Sequence, residues 1–272
     1  MFTAATMTRA GTPPDPKLCR LSLWVLAATL VTTSTMAEPA PTCVPEPLGS
    51  AWVRSAIDGR VLELADGRRL RLAGIDSPFA SAGDPLQNHL QTLAAGQRVR
   101  IGRLGPDDRY GRIVALVHRN DESSSLQETL LEQGLARVGL PLGPPPCAQL
   151  LLAAERKART AGRGLWSHPA MAVRSADEPQ ALRADLGRLV LVEGRVLSVR
   201  SVGGIIYLNF SRRWTKGFTA TVFKRNLGGL ESAGISLQGL AGRSIIVRGI
   251  LEERNGLQME LAEPGQIEIS GL

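Results

Sequence analysis

Histidine is scarce in this chain, and His89, His118 and His168 have no cysteine or acidic neighbours at metal-ligand spacing, which argues against a His/Cys metal cluster. All three read as structural or exposed. Lysine is scarcer relative to its partner cation: four lysines stand beside 28 arginines. That imbalance favours planar, bidentate contacts to phosphate or carboxylate over diffuse lysine attraction. No apolar run is long enough to cross a bilayer. Residues 21–31 follow Lys17 and Arg20 and fall well short of the ~20 residues a span requires. With Thr35-Met36-Ala37 behind them they read as a secretory signal cleaved after Ala37, leaving a secreted or periplasmic chain without a stable membrane anchor. An uncleaved anchor is the alternative; lipidation at Cys43 is disfavoured because Ala40-Pro41-Thr42 lacks the large aliphatic residue of a lipoprotein signal. Cysteine is limited to three, and Cys19 leaves with the signal. Cys43 and Cys147 then remain as a pair in an oxidising compartment, and a disulfide is expected, with two free thiols as the alternative.

What is present fits two domains, since 272 residues allow two cores. Loss of Arg9, Lys17 and Arg20 against Asp15 takes two positive charges from the net +7 and leaves +5. A nucleic-acid partner fits this charge, although a soluble arginine-rich surface would look the same.

The first domain is expected over residues 51–170, after a signal at 1–37 and an N-terminal extension at 38–50. Val61-Leu62-Glu63-Leu64 and Arg69-Leu70-Arg71-Leu72 alternate in the strand period around an Asp66-Gly67 turn signal, which predicts a β-hairpin. Alternation puts Leu70 and Leu72 on the core face and Arg71 on the other. Pro78 ends the strand that follows. Asp84 and Pro85 read as the N-cap and first residue of a helix stopping at Gly96. Strands are expected at 97–103 and 112–118, and helices at 126–133 and 148–161. Strands, helix, strands and helices in that order indicate an α+β unit.

Arg71-Leu72-Ala73-Gly74-Ile75-Asp76-Ser77-Pro78, Asp108-Arg109-Tyr110-Gly111-Arg112, Gln133-Gly134-Leu135-Ala136-Arg137-Val138 and Gly164-Leu165-Trp166 together resemble the staphylococcal-nuclease (thermonuclease) domain, over about residues 52–168. The resemblance implies a five-stranded barrel of the oligonucleotide-binding (OB) type with three helices and an active site at the barrel mouth. It also implies Ca²⁺ held by two aspartates, a glutamate near the attacking water and two arginines on the phosphate. Arg71 and Arg112 fall on the arginines, Asp76 on one metal aspartate, and Ser77 where a threonine carbonyl usually contributes. Two positions depart from the pattern: Phe79 replaces the glutamate and Arg60 the second aspartate. Leu140 and Leu142 stand where tyrosines are expected. As substitute acids, Asp84 is better explained as a cap, Asp58, Asp107 and Asp108 as turn formers, and Glu63 as a residue on the face opposite Leu62 and Leu64. Hydrolysis is therefore expected to be impaired, with Ca²⁺ only if the residual site binds metal, while Arg71 and Arg112 still recognise phosphate. Trp166 is expected in the core.

Residues 171–187 read as a linker. Beyond it, at 188–272, five β-rich runs divided by glycine pairs and Asn255-Gly256 predict a second small, mainly β, OB-like barrel. Tyr207, Phe210, Trp214 and Phe218 are interleaved with basic residues, as single-strand binders require. Tyr207 and Phe218 are expected in the core. Arg212, Arg213 and Trp214 here, with Arg109 and Tyr110 in the first domain, are the candidate contacts to single-stranded DNA or RNA. The leading reading is a secreted nucleic-acid-binding protein built on a degenerate nuclease domain. An active phosphodiesterase with a rearranged site and an envelope protein-interaction module are the alternatives.

Overall fold

The hairpin predicted over residues 61–72 sets the first domain. The computed structural model describes residues 42–78, 84–119, 122–213 and 216–269. The expected signal segment, Phe79 and Trp214 lie outside these. In chain order the first half runs β1 Glu46–Asp58, β2 Val61–Leu64, β3 Arg69–Leu72, β4 Ile75–Asp76, α1 Pro85–Ala94, β5 Arg98–Arg103, β6 Ile113–Arg119, α2 Leu126–Glu132, β7 Arg137–Val138 and α3 Pro145–Thr160. The hairpin register pairs Val61 with Arg71 and Leu62 with Leu70, and Gly67 supplies the left-handed turn residue at φ 87°. Leu62, Leu64, Leu70 and Leu72 have no solvent exposure, and each contributes about 1.5–3 kcal/mol by its burial.

Strands β1, β2, β3, β6 and β5 close a barrel in that order. Register shifts in β1, two against β2 and one against β5, bend it so that one strand pairs β2 along one edge and β5 along the other. Residues 46–50, expected as an extension, therefore belong to the barrel. The Cys43–Cys147 disulfide ties the chain just ahead of β1 to the first turn of α3, across 104 residues of sequence, a loop worth about 4–5 kcal/mol in the chain-entropy account. The caps follow the sequence: Asp84 accepts from Leu86 N at 2.9 Å, and Ser125 with Glu128 forms a capping box on α2.

The second half runs β8 Arg174–Ser175, α4 Pro179–Leu182, β9 Leu189–Arg195, β10 Ser198–Val202, β11 Ile205–Asn209, β12 Phe218–Phe223, α5 Lys224–Ser232, β13 Ser244–Glu253, β14 Leu257–Glu260 and β15 Ile267–Ile269. Its sheet order is β10-β11-β12-β14-β13-β9-β8, with β15 on β13. This repeats the winding of the first barrel, with the run β9–β10 in the place of β1. The run breaks at Val196 and Leu197, where Val196 N donates to Arg243 O at 2.9 Å on one side and Leu197 N to Asn209 O at 2.8 Å on the other. The first β-rich run of this half is thus two strands, β9 and β10, meeting at a bend, and the ladder is interrupted there.

The segment read as a linker is structured. Arg174 and Ser175 pair in parallel with β9, and Ala176 and Leu182 are buried in the second core. Tyr207 also departs from expectation: it is half-buried on the outer face of its sheet, whereas Phe218 is in the core. Trp166 is half-buried beneath the Arg159 guanidinium, 6.0 Å from its ring.

Candidate phosphate site at the barrel mouth

Strand β3 carries Arg71 out of the barrel core, paired across to Val61 on β2 and Val114 on β6. Four residues later the chain has turned into β4, which pairs with β7, with Asp76 directly opposite Arg137. Gly139 lets this pair close up: a Cβ there would lie 2.9 Å from Asp76 Cβ.

Both oxygens of Asp76 are taken. Arg60 Nη1 donates to Oδ1 at 2.9 Å. Arg137 donates to Oδ2 from Nη2 at 2.9 Å and from Nε at 3.1 Å. A divalent cation needs oxygen donors free to face it, and here guanidinium groups already occupy both. Among the described residues no three His, Cys, Asp or Glu side chains are grouped to hold a metal ion. The residues present do not fit the Ca²⁺ that the resemblance implied. Arg137 was visible in the sequence only as part of a motif; its hold on Asp76 needs a strand pairing across 61 residues.

Arg71 is half-buried and makes no hydrogen bond or ion pair with a described residue. Its guanidinium is held below its ordinary pKa, first by burial and then by repulsion from Arg60 and Arg112, with Asp108 and Asp76 only partly offsetting this. Arg60, Arg71, Arg112 and Arg137 against Asp76 and Asp108 leave two positive charges in excess. Such a cluster favours an anion.

Arg112 is clasped by Asp108, with Nε at 2.8 Å and Nη2 at 2.7 Å from Oδ2. It also stacks on Tyr110, 5.0 Å from the ring centroid, as does Arg109 at 5.0 Å. Tyr110 is 67% exposed, so the loop presents an aromatic ring braced by two cations. Burial tends to raise the Asp108 pKa, but hydrogen bonds from the Arg112 side chain and backbone and from Tyr110 N bring it down to about 2. A carboxylate with a lowered folded pKa adds stability that is complete above its ordinary value of 3.8 and is lost as pH falls toward about 2. In Arg112→Ala, an NMR titration is expected to find Asp108 shifted back toward 3.8, with the acid-side loss of stability reduced in step.

The other acids have structural partners. Asp84 caps α1 and accepts from Ser77 Oγ at 2.7 Å. Asp58 accepts from Arg60 N at 2.7 Å within the turn. Asp107 pairs with Arg103 at 3.3 Å and Glu63 with Arg54 at 3.7 Å. Of the expected nucleic-acid contacts on the second sheet, Arg212 and Arg213 are both exposed. Leu142, at one of the tyrosine positions, is buried, and its N donates to Glu263, between β14 and β15, at 2.7 Å.

Comparison with known proteins agrees with this architecture. Residues 69–168 match the family described as Staphylococcal nuclease homologue. A relative from Verticillium alfalfae, "Probable endonuclease LCL3", is 31% identical over 185 residues, covering 62% of this chain and 60% of that protein. The chain thus spans about three fifths of that relative's length. From the barrel topology and the matched segment, the chain carries a staphylococcal-nuclease-like domain at residues 69–168.

Proposed function

We propose that the barrel mouth binds the phosphodiester backbone of a nucleic acid without a divalent cation, and that metal-dependent hydrolysis there is impaired. The observation that carries this is the double occupation of Asp76 by Arg60 and Arg137, beside Arg71, which has no hydrogen bond or ion pair with a described residue. Arg71 is the primary phosphate ligand; Arg112 and Arg60 contribute field. Tyr110 offers a stacking surface for an adjacent base. A secreted or periplasmic setting is part of the proposal and is supported by the Cys43–Cys147 bond.

A second reading, an endonuclease with a rearranged site, is favoured by the name of the Verticillium relative. The two separate cleanly. Binding of labelled single-stranded DNA or RNA to the purified chain is expected to be salt-dependent and indifferent to EDTA. Arg71→Ala should weaken it by about 1.5–3 kcal/mol, the worth of a charge-assisted hydrogen bond. Chelator-sensitive cleavage that Arg71→Ala abolishes would establish the endonuclease instead.

A further inference from the structure

We propose that the outer face of β10, β11, β12 and β14 is a second nucleic-acid site, built for a single strand. It shares only its ligand class with the barrel-mouth reading.

The face is a groove of about 1050 Å³. Its floor is ordered in rows by the sheet register. Val202, Ile205 and Phe223 align across three strands and make one end apolar. The next row runs Arg200, Tyr207, Thr221 and Glu260, and the one beyond it Ser198, Asn209, Thr219 and Gln258. Aromatic and aliphatic surface thus passes into hydroxyl and amide groups within a few strand residues. This is the combination that holds a base by its face and reads its edge.

Charge selects the occupant. Within the groove Glu252 is answered by Arg254 at 3.0 Å and Glu260 by Arg225 at 3.7 Å. Arg225 also stacks on Phe223, 4.2 Å from the ring. Arg200 and Arg212 have no hydrogen bond or ion pair with a described residue. Two guanidinium groups without a described partner, Arg200 beside Tyr207 and Arg212 elsewhere in the groove lining, match a ligand with repeated phosphates and exposed rings. A duplex hides its base faces and would gain only the phosphate contacts.

The test is fluorescence anisotropy of the full chain with a labelled deoxythymidine oligomer of about ten nucleotides, within the usual span of one such sheet. Tyr207→Ala should weaken binding about 5- to 150-fold, and Tyr207→Phe, which keeps the stack, should bind like the parent. Arg200→Ala with Arg212→Ala should lower the slope of log affinity against log salt by about 1.4. Unchanged affinity and slope in these variants, with binding still lost in Arg71→Ala, would overturn the groove and leave the barrel mouth standing. Loss confined to the groove variants would do the reverse, and no binding by the parent chain would overturn both.

Discussion

Arg248→Ala is expected to destabilise the protein by about 3–5 kcal/mol, the cost of stranding a buried charge. Arg248 is 1% exposed on β13, yet its guanidinium reaches out of its own sheet. Nη1 donates to Val138 O at 2.8 Å and to Glu155 Oε1 at 3.0 Å, and Nη2 pairs with Glu155 Oε2 and with Glu268. Glu155, fully buried on α3, also accepts from Val138 N at 2.6 Å. Burial alone would lower the Arg248 pKa, but Glu155 and then Glu268 raise it, so the guanidinium stays charged. Removing Arg248 leaves the buried Glu155 carboxyl without its main partner, with Arg159 Nη1 at 3.8 Å as the cation left beside it. Arg248→Met with Glu155→Leu should recover part of the loss. Full recovery is not expected, because Val138 N and O would then be orphaned at about 1–3 kcal/mol each. Urea denaturation followed by circular dichroism checks both values, and a shift below 1 kcal/mol for Arg248→Ala would contradict the argument.

This ion pair bears on the site through β7. Val138 lies next to Arg137, which holds Asp76 with two nitrogens and donates Nη1 to Leu189 O of β9 at 2.7 Å. The second sheet therefore grips the two-residue strand that pins Asp76. Loosening Arg248 should free Arg137 as well.

The parts legible in the sequence were local. Strand alternation placed Arg71 outside and Leu70 and Leu72 inside, and the Asp66-Gly67 turn fixed the hairpin register, because both signals lie within a dozen residues. Asp84 announced itself as a cap for the same reason. Arg60 and Phe79 stood out against the family pattern. What the sequence did not show is non-local: Arg137 meets Asp76 across 61 residues and Arg248 meets Glu155 across 93, and no periodicity encodes either. The segment at 171–187 misled because two-residue strands and single-turn helices leave no pattern, although Ala176 and Leu182 are buried. Likewise Glu46-Pro47-Leu48-Gly49-Ser50 falls in what reads as an N-terminal extension, and is strand because β5 pairs with it.

Arg60→Asp with Phe79→Glu is expected to turn the barrel mouth from an anion site into a cation site. Removing Arg60 frees Asp76 Oδ1 and puts a carboxylate, on a shorter side chain, in place of the guanidinium that donated to it at 2.9 Å. Two facing carboxylates repel unless a cation joins them. The variant should therefore be less stable than the parent in EDTA and gain stability with Ca²⁺, by about 2.7 kcal/mol when Ca²⁺ is a hundredfold above its dissociation constant. The parent should show no such gain. Phe79→Glu alone should not bind the ion, since Arg60 would still cover Oδ1. Arg137 continues to hold Oδ2, so the double variant should bind Ca²⁺ weakly, and adding Arg137→Gln should tighten the site while weakening the hold on Leu189. Thermal melts across a Ca²⁺ titration measure this without reference to cleavage. A parent chain that Ca²⁺ stabilises as much as the variant would mean that the two arginines do not exclude the ion, and the anion reading of the barrel mouth would fall with that result.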